Sequence, residues 1–333
     1  MTREDFKDIK KKLAIPKKIV IVSHKNPDGD AIGSSLGLYH YLKQYGHEVT
    51  PIVPNDFPDF LKWTPGVKDI LIYDQRKEKA NTLFKEADIV FTLDFNAFHR
   101  TGDVQHILNE LDTCFIMIDH HQQPDDYATY MYSDVAICST SQMIYHFIDG
   151  LDDTDKINAD IASALYLGIM TDTGSFRFRS TDSQTHRVVA ELIDKGADNT
   201  AIHEAVYDAN SHNRLLLLGR ALSKLTILPE HNTAYIALSK SDLLEFNYQK
   251  GDTEALVNYA LSVKGIQIAA LFKENLDDSD IRISFRSKGD FSVNTMARDY
   301  FNGGGHTNAA GAVSTIPLKD TIDKFISILD GRN

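Results

Sequence analysis

The stretch SHKNPDGDAIGS, residues 23–34, places His24, Asp28 and Asp30 close together, immediately behind the apolar run KKIVIV. Further acids and a histidine pair stand in similar positions. Asp94 closes ADIVFTLDF, Asp119-His120-His121 close TCFIMIDHH, and Asp172 follows the helix-like INADIASALYLGIM. An isolated carboxylate at a buried strand end would take up a proton rather than bear the cost of a desolvated charge. The set His24, Asp28, Asp30, Asp94, His120 and Asp172 holds four carboxylates and two imidazoles. Divalent cations are the natural compensation, and such a set suits two ions that share a bridging carboxylate. Nitrogen and oxygen donors without thiolate favour Mn2+; Fe2+, Co2+ and Zn2+ remain open, and Mg2+ is better served by an all-oxygen set.

Each piece also has a plainer reading. HKNPDGD alone is a polar turn, Asp94 alone a helix N-cap, and Asp172 alone, in TDTGS, a turn residue. Adjacent histidines at a strand end are harder to explain, because they add little to packing. Recurrence at successive strand ends decides for the metal site. Asp119 reads as an acid that orients a histidine rather than as a ligand.

These side chains need a scaffold that gathers strand ends. KKIVIVSH, EVTPIVPN, KDILIYD, ADIVFTLDF and TCFIMIDHH read as buried strands, with AIGSSLGLYHYLKQYG and NTLFKEA as helices between them. That rhythm predicts an α/β fold, a parallel sheet with helices on both faces, whose ligand crevice lies beyond the carboxyl ends of the strands. From about residue 183 the pattern turns helical. HNTAYIALSK, IQIAALFKE and DIRISFRSK then restart strand chemistry ahead of a glycine-rich tail. The expected layout is a catalytic domain over residues 1–205, a helical linker over 206–230, and a smaller α+β substrate-binding domain over 231–333.

Composition narrows the partners. The 333 residues are 42% apolar and 25% charged, with a net charge of −12. An acidic surface argues against holding long duplex nucleic acid and leaves short anionic substrates drawn to a metal-loaded cleft. Cys114 and Cys138 make no disulfide framework. MTREDFKDIKKKL has no hydrophobic signal region, and no apolar run approaches the roughly 20 residues that span a bilayer. The expectation is a soluble cytoplasmic protein without membrane partners; a homodimer stays open.

SHKNPDGDAIGS, TLDF, DHH and GIMTDTGSF, in this order and spacing, resemble the four motifs of the DHH phosphoesterase family. FNGGGHTNAAG resembles the signature of the DHH-associated C-terminal domain. The resemblance implies a bimetallic centre, usually manganese, ligated by the same six residues with Asp94 as the bridge. It also implies that His121 contacts the scissile phosphate and that a hydroxide between the metals attacks phosphorus. Arg286, in a matching SFRS context, is implied as a substrate-binding arginine. Gly303, Gly304, Gly305 and His306 are implied as a phosphate or nucleotide clamp, and Arg100, in FHRTGD, as a phosphate contact. Family members often have glycine where this chain has Asn302.

Length and layout resemble the stand-alone nanoRNase branch. That branch implies hydrolysis of short oligoribonucleotides to mononucleotides, and of 3'-phosphoadenosine 5'-phosphate (pAp) to AMP and phosphate. Soluble cyclic or linear dinucleotide phosphodiesterase activity is the alternative, followed by a non-catalytic nucleotide-binding role.

Overall fold

The computed structural model describes residues 1–277 and 279–331, and its chain divides into two compact units, Met1–Ala209 and Asn210–Asn333. The first unit contains strands β1 (Lys18–Val22), β2 (Glu48–Val53), β3 (Leu71–Ile72), β4 (Ile89–Leu93), β5 (Cys114–Asp119) and β6 (Tyr130–Ser133). All pair in parallel, in the order β3-β2-β1-β4-β5-β6. The order reverses between β1 and β4, where the connections on either side diverge and leave a crevice at the strand ends. The central strands are apolar on both faces because both are covered: Ile19, Ile21, Ile89 and Phe91 enter one core, Val20, Val22 and Val90 the other. Strand β6 is short and half-buried, and it lacks the unbroken aliphatic run that marks the central strands.

The helices of this unit are α1 (Arg3–Leu13), α2 (Gly29–Lys43), α3 (Lys77–Glu86), α4 (Val104–Leu108), α5 (Thr140–Gly150), α6 (Ala159–Asp172), α7 (Ser183–Asp194) and α8 (Asn199–His203). Helices α2, α5 and α6 pack on one another. A Cβ at Gly33 would meet the Ala164 carbonyl oxygen at 2.4 Å, and one at Gly37 would meet Leu165 Cδ2 at 2.4 Å. From the other side, a Cβ at Gly168 would meet Ser141 Oγ at 1.9 Å and Asp30 Oδ1 at 2.7 Å. Bare backbone at these positions lets three helices converge where Asp30, Ser141 and Asp172 sit.

The second unit has α9 (His212–Ser223), β7 (Thr226–Leu228), β8 (Thr233–Leu238), α10 (Lys240–Glu245), α11 (Leu256–Ser262), β9 (Ile268–Glu274), β10 (Ile281–Ser287), α12 (Val293–Phe301), β11 (Gly304–His306), β12 (Ala309–Ser314) and α13 (Leu318–Asp330). Its sheet runs β11-β12-β10-β9-β8-β7, antiparallel except for the parallel pair β8/β9. The 206–230 segment divides between the units. Val206 packs in the first core, Leu217 and Ala221 pack in the second, and β7 pairs with β8.

Candidate metal centre and substrate residues

The acidic and imidazole side chains reach the crevice from the ends of several different elements. His24 follows β1, Asp94 follows β4, and His120 and His121 follow β5. Asp28 caps α2, Asp30 lies in its first turn, and Asp172 ends α6. The loop after β1 turns at Asn26, whose φ is +58°, and Asn26 and Asn55 exchange two hydrogen bonds there. Gly29 therefore has a different purpose from the turn suggested by its place in NPDGD. A Cβ there would meet the Thr171 side chain at 2.3 Å, so this glycine permits helix contact.

Two groups of ligand atoms result, each mutually within 4.8 Å: His24, Asp28 and Asp94 in one, Asp30, His120 and Asp172 in the other. Asp94 faces both. Its Oδ2 lies 3.3 Å from His24 Nε2 and its Oδ1 3.5 Å from His120 Nε2. His120 Nε2 is also 3.5 Å from Asp172 Oδ2 and 3.9 Å from Asp30 Oδ2. Both imidazoles are anchored through the opposite nitrogen: His24 Nδ1 meets the Lys25 carbonyl at 2.9 Å and His120 Nδ1 the Ile137 carbonyl at 3.2 Å. A carbonyl partner requires Nδ1–H, so it is the Nε2 proton, the one facing the acids, that a metal ion would displace to leave the tautomer a ligand needs.

The electrostatics of the cluster match that geometry. Burial presses Asp30 well above the usual carboxylate range, with the Asp94 and Asp172 charges adding to it. Burial also lifts Asp172, reinforced by Asp28 and Asp94 and opposed by His120, to about 6. Burial opposes charge on His24, but the Asp94 hydrogen bond and the Asp28 and Asp94 charges outweigh it and raise it to about 9. His120 rises for the same reasons, with Asp94 and Asp172 overcoming burial. Asp94, disfavoured by burial, is held well below its usual range by hydrogen bonds from His120 and His24. Retained protons supply the positive charge that crowded acids demand, and divalent cations would replace them. The donor set fits a pair of divalent cations, with Asp94 offering one oxygen to each group.

Residues that sequence reasoning missed complete the site. The backbone N–H groups of Thr140 and Ser141, at the N-terminus of α5, donate to Asp30 Oδ2 at 2.7 Å and Oδ1 at 2.8 Å. Thr140 Oγ1 donates to Asp94 Oδ1 at 3.0 Å. The helix start was signalled by the capping pattern STSQ, in which Ser139 Oγ accepts from Gln142 N–H. Asp119, fully buried, receives His121 Nδ1 on its Oδ1 at 2.7 Å. The acid therefore orients His121, and His121 Nδ1 lies 3.7 Å from Asp94 Oδ1. Arg100 stands beside the first group: its charge opposes protonation of His24, and its carbonyl accepts Lys25 N–H at 2.8 Å. The side chains of Asp28 and Asp172 are 46% and 28% exposed, against 3% for Asp94, so the cluster opens to solvent on that side.

In the second unit, Ile281, Ile283 and Phe285 are buried while Arg282, Ser284 and Arg286 share the opposite face of β10. Arg282 is tied to Asp280 at 3.1 Å, and half-buried Arg286 lies opposite Ala269 and Ala309. The glycine run is a strand rather than an open loop. Gly304, Gly305 and His306 form edge strand β11, opposite Gly311, Ala310 and Ala309. A Cβ at Gly303 would meet the Gly311 carbonyl oxygen at 2.2 Å, so glycine is needed for strand approach. Asn302 closes α12 in the left-handed conformation, φ +48°, where asparagine is the usual substitute for glycine.

The chain is similar to known proteins over most of its length. Residues 18–169 match the DHH family N-terminal domain and residues 232–332 the DHHA1 domain. The Bacillus subtilis protein named bifunctional oligoribonuclease and PAP phosphatase NrnA is 28% identical, covering 94% of this chain and 93% of that protein. The Thermus thermophilus protein of the same name is 32% identical over 90% of this chain and 85% of its own length. Among solved structures, an exopolyphosphatase-related protein from Bacteroides fragilis superposes with a TM-score of 0.93 at 40% identity, covering 98% of this chain and 96% of that one.

Proposed function

The chain belongs to the DHH family, and on that premise we propose that it hydrolyses short oligoribonucleotides to mononucleotides and pAp to AMP and phosphate. The observation that carries this reading is the bifacial Asp94, set between two groups that each gather imidazole and carboxylate donors. His24, Asp28 and Asp94 would hold one cation, and Asp30, His120 and Asp172 with Asp94 the other. Two divalent cations, with Mn2+ favoured by the mixed donors, supply charge neutralisation of the phosphoryl oxygens and an activated water.

The chain's own groups do the rest. His121, fixed by Asp119, meets a phosphoryl oxygen with Nε2, and Arg100 adds a positive charge beside the first group. In the second unit, Arg286, Gly303 and the β11 residues Gly304, Gly305 and His306 are the proposed nucleotide contacts. One water is consumed for each phosphoester P–O bond broken: phosphorus gains the water oxygen, and the leaving alkoxide takes the proton. Among the described residues no helix is long and apolar enough to cross a membrane, and the cytoplasm is the proposed site of action.

The names of the Bacillus and Thermus relatives support this substrate choice, as does an acidic surface that disfavours long nucleic acid. The test is a product assay with Mn2+ over pAp, pApA, five-residue RNA and cyclic di-AMP. Turnover of pAp and short RNA, lost in Asp94→Asn, supports the assignment; turnover of cyclic di-AMP alone overturns it in favour of a dinucleotide phosphodiesterase.

A further inference from the structure

The segment following Asp172 is unusual in conformation and in what it exposes. Gly174, Ser175 and Phe176 all have left-handed backbones, with φ of +56°, +60° and +64°. An aromatic residue in that region is strained, and such strain persists only where surrounding contacts enforce it. Here the contacts are specific. Ser175 N–H donates to the Met170 carbonyl at 2.8 Å, and Phe176 N–H to Thr173 Oγ1 at 3.0 Å. Ser175 Oγ meets His203 Nε2 at 3.1 Å. Phe176 turns towards Tyr166 and His203, at ring distances of 5.7 and 6.3 Å.

The same turn sends Phe178 outward. Its ring lies over Gly174, where a Cβ would meet it at 2.4 Å, and the residue is 38% exposed. Arg177 and Arg179 flank it, both exposed, and Arg177 Nε donates to the Gly174 carbonyl at 2.7 Å. An outward aromatic between two guanidinium groups, on a chain of net charge −12, stands within a few residues of Asp172. Gly174 covers one side of the ring, and a nucleobase next to a phosphate matches both the exposed remainder and the cations.

We propose that Phe178 is a stacking shelf for a nucleobase of the substrate, with Arg177 and Arg179 meeting the adjoining phosphates. The shelf selects nucleotides over simple phosphoesters, and the strained, hydrogen-bonded turn that carries it follows directly on Asp172 in the chain. This inference rests on the reading that the substrate is a short oligoribonucleotide or nucleotide phosphate.

Two measurements test it separately from that reading. The first crosses Phe178→Ala with pApA and with two pApA analogues, each lacking one base. Stacking predicts a loss of kcat/KM on pApA about tenfold greater than on one of the abasic analogues, equivalent to about 1.4 kcal/mol. Phe178→Trp should restore the difference and Phe178→Leu should not. Equal losses on all three substrates, or rescue by leucine, overturn the shelf. The second measurement follows quenching of a 2-aminopurine dinucleotide with Mn2+ present, which needs no turnover. Quenching that depends on an aromatic residue at 178 supports the shelf even if wild type cleaves none of these substrates, an outcome that would remove the catalytic reading alone. Quenching unchanged in Phe178→Ala overturns the shelf even where hydrolysis is confirmed.

Discussion

Substituting Gly168 by alanine places a methyl group in the junction that shapes the metal site. The new Cβ would stand 2.7 Å from both Ser141 Cβ and Asp30 Oδ1, and 1.9 Å from Ser141 Oγ. Ordinary contact begins at 3.4 Å, so α5 and the Asp30 carboxylate must each retreat by several tenths of an ångström. Rotation of the Ser141 hydroxyl relieves only the shortest contact, because its Cβ belongs to the start of α5. Overpacking of this kind costs about 1–3 kcal/mol, while replacing glycine in a helix returns up to about 1 kcal/mol. The net loss of stability should be about 1 kcal/mol.

The effect on cation uptake should be larger. The amides of Thr140 and Ser141 hold Asp30 at 2.7 and 2.8 Å, and separating the helices stretches both bonds. Hydrogen bonds to a charged group are worth about 1.5–3 kcal/mol each, so weakening this pair should lower Mn2+ affinity roughly 10- to 100-fold. Calorimetric titration with Mn2+ and a thermal melt on the same sample separate the two effects. Gly219→Ala is the control: a Cβ there meets nothing within 4 Å, and it should leave Mn2+ uptake unaltered. Wild-type Mn2+ affinity in Gly168→Ala would refute the idea that close helix approach positions Asp30.

Chelation by EDTA should abolish hydrolysis, and added Mn2+ should raise Tm, since a ligand bound only to the folded state stabilises it by mass action; turnover surviving EDTA would sink the bimetallic mechanism. Asp119→Asn, which removes the charge that orients His121, should lower kcat about 10- to 100-fold while leaving Mn2+ uptake intact, measured by calorimetry alongside kinetics. Asp242 anchors the second unit. Burial works against its charge, but bonds from Lys224, Ser239 and Arg220 hold it far below the ordinary carboxylate range. A depressed folded-state value contributes stability above the unfolded value of about 4, and that contribution fades as pH falls. Asp242→Asn should therefore cost about 2 kcal/mol at pH 7, discounted for its half-exposed partners, and progressively less below about pH 4; urea melts across pH provide the check.

The parallel sheet was legible because its central strands are buried on both faces and read as unbroken apolar runs. The cluster was legible because acids and imidazoles recur where those runs stop. What escaped the sequence lacks such contrast. Strand β6, Tyr130–Ser133, is short and half-buried, and β11 is built of glycine and histidine, with almost none of the β-branched residues that announce a strand. Thr140 and Ser141 escaped because backbone amides, rather than side-chain chemistry, grip Asp30. The pattern NPDGD suggests a turn at Gly29, whereas this glycine serves a helix contact that depends on Thr171, far away along the chain.

The crossover order of the first sheet has a kinetic consequence. His24 and Asp172 sit at opposite ends of a long stretch of chain, and every strand between them must find its parallel neighbour before they meet. Parallel pairing closes large loops and is slow. A divalent cation bound by this cluster would therefore not template the early collapse, because the cluster does not exist until that search has ended. Its contribution would come afterwards, as a latch that slows escape from the finished state, so chelation should speed unfolding far more than it retards refolding.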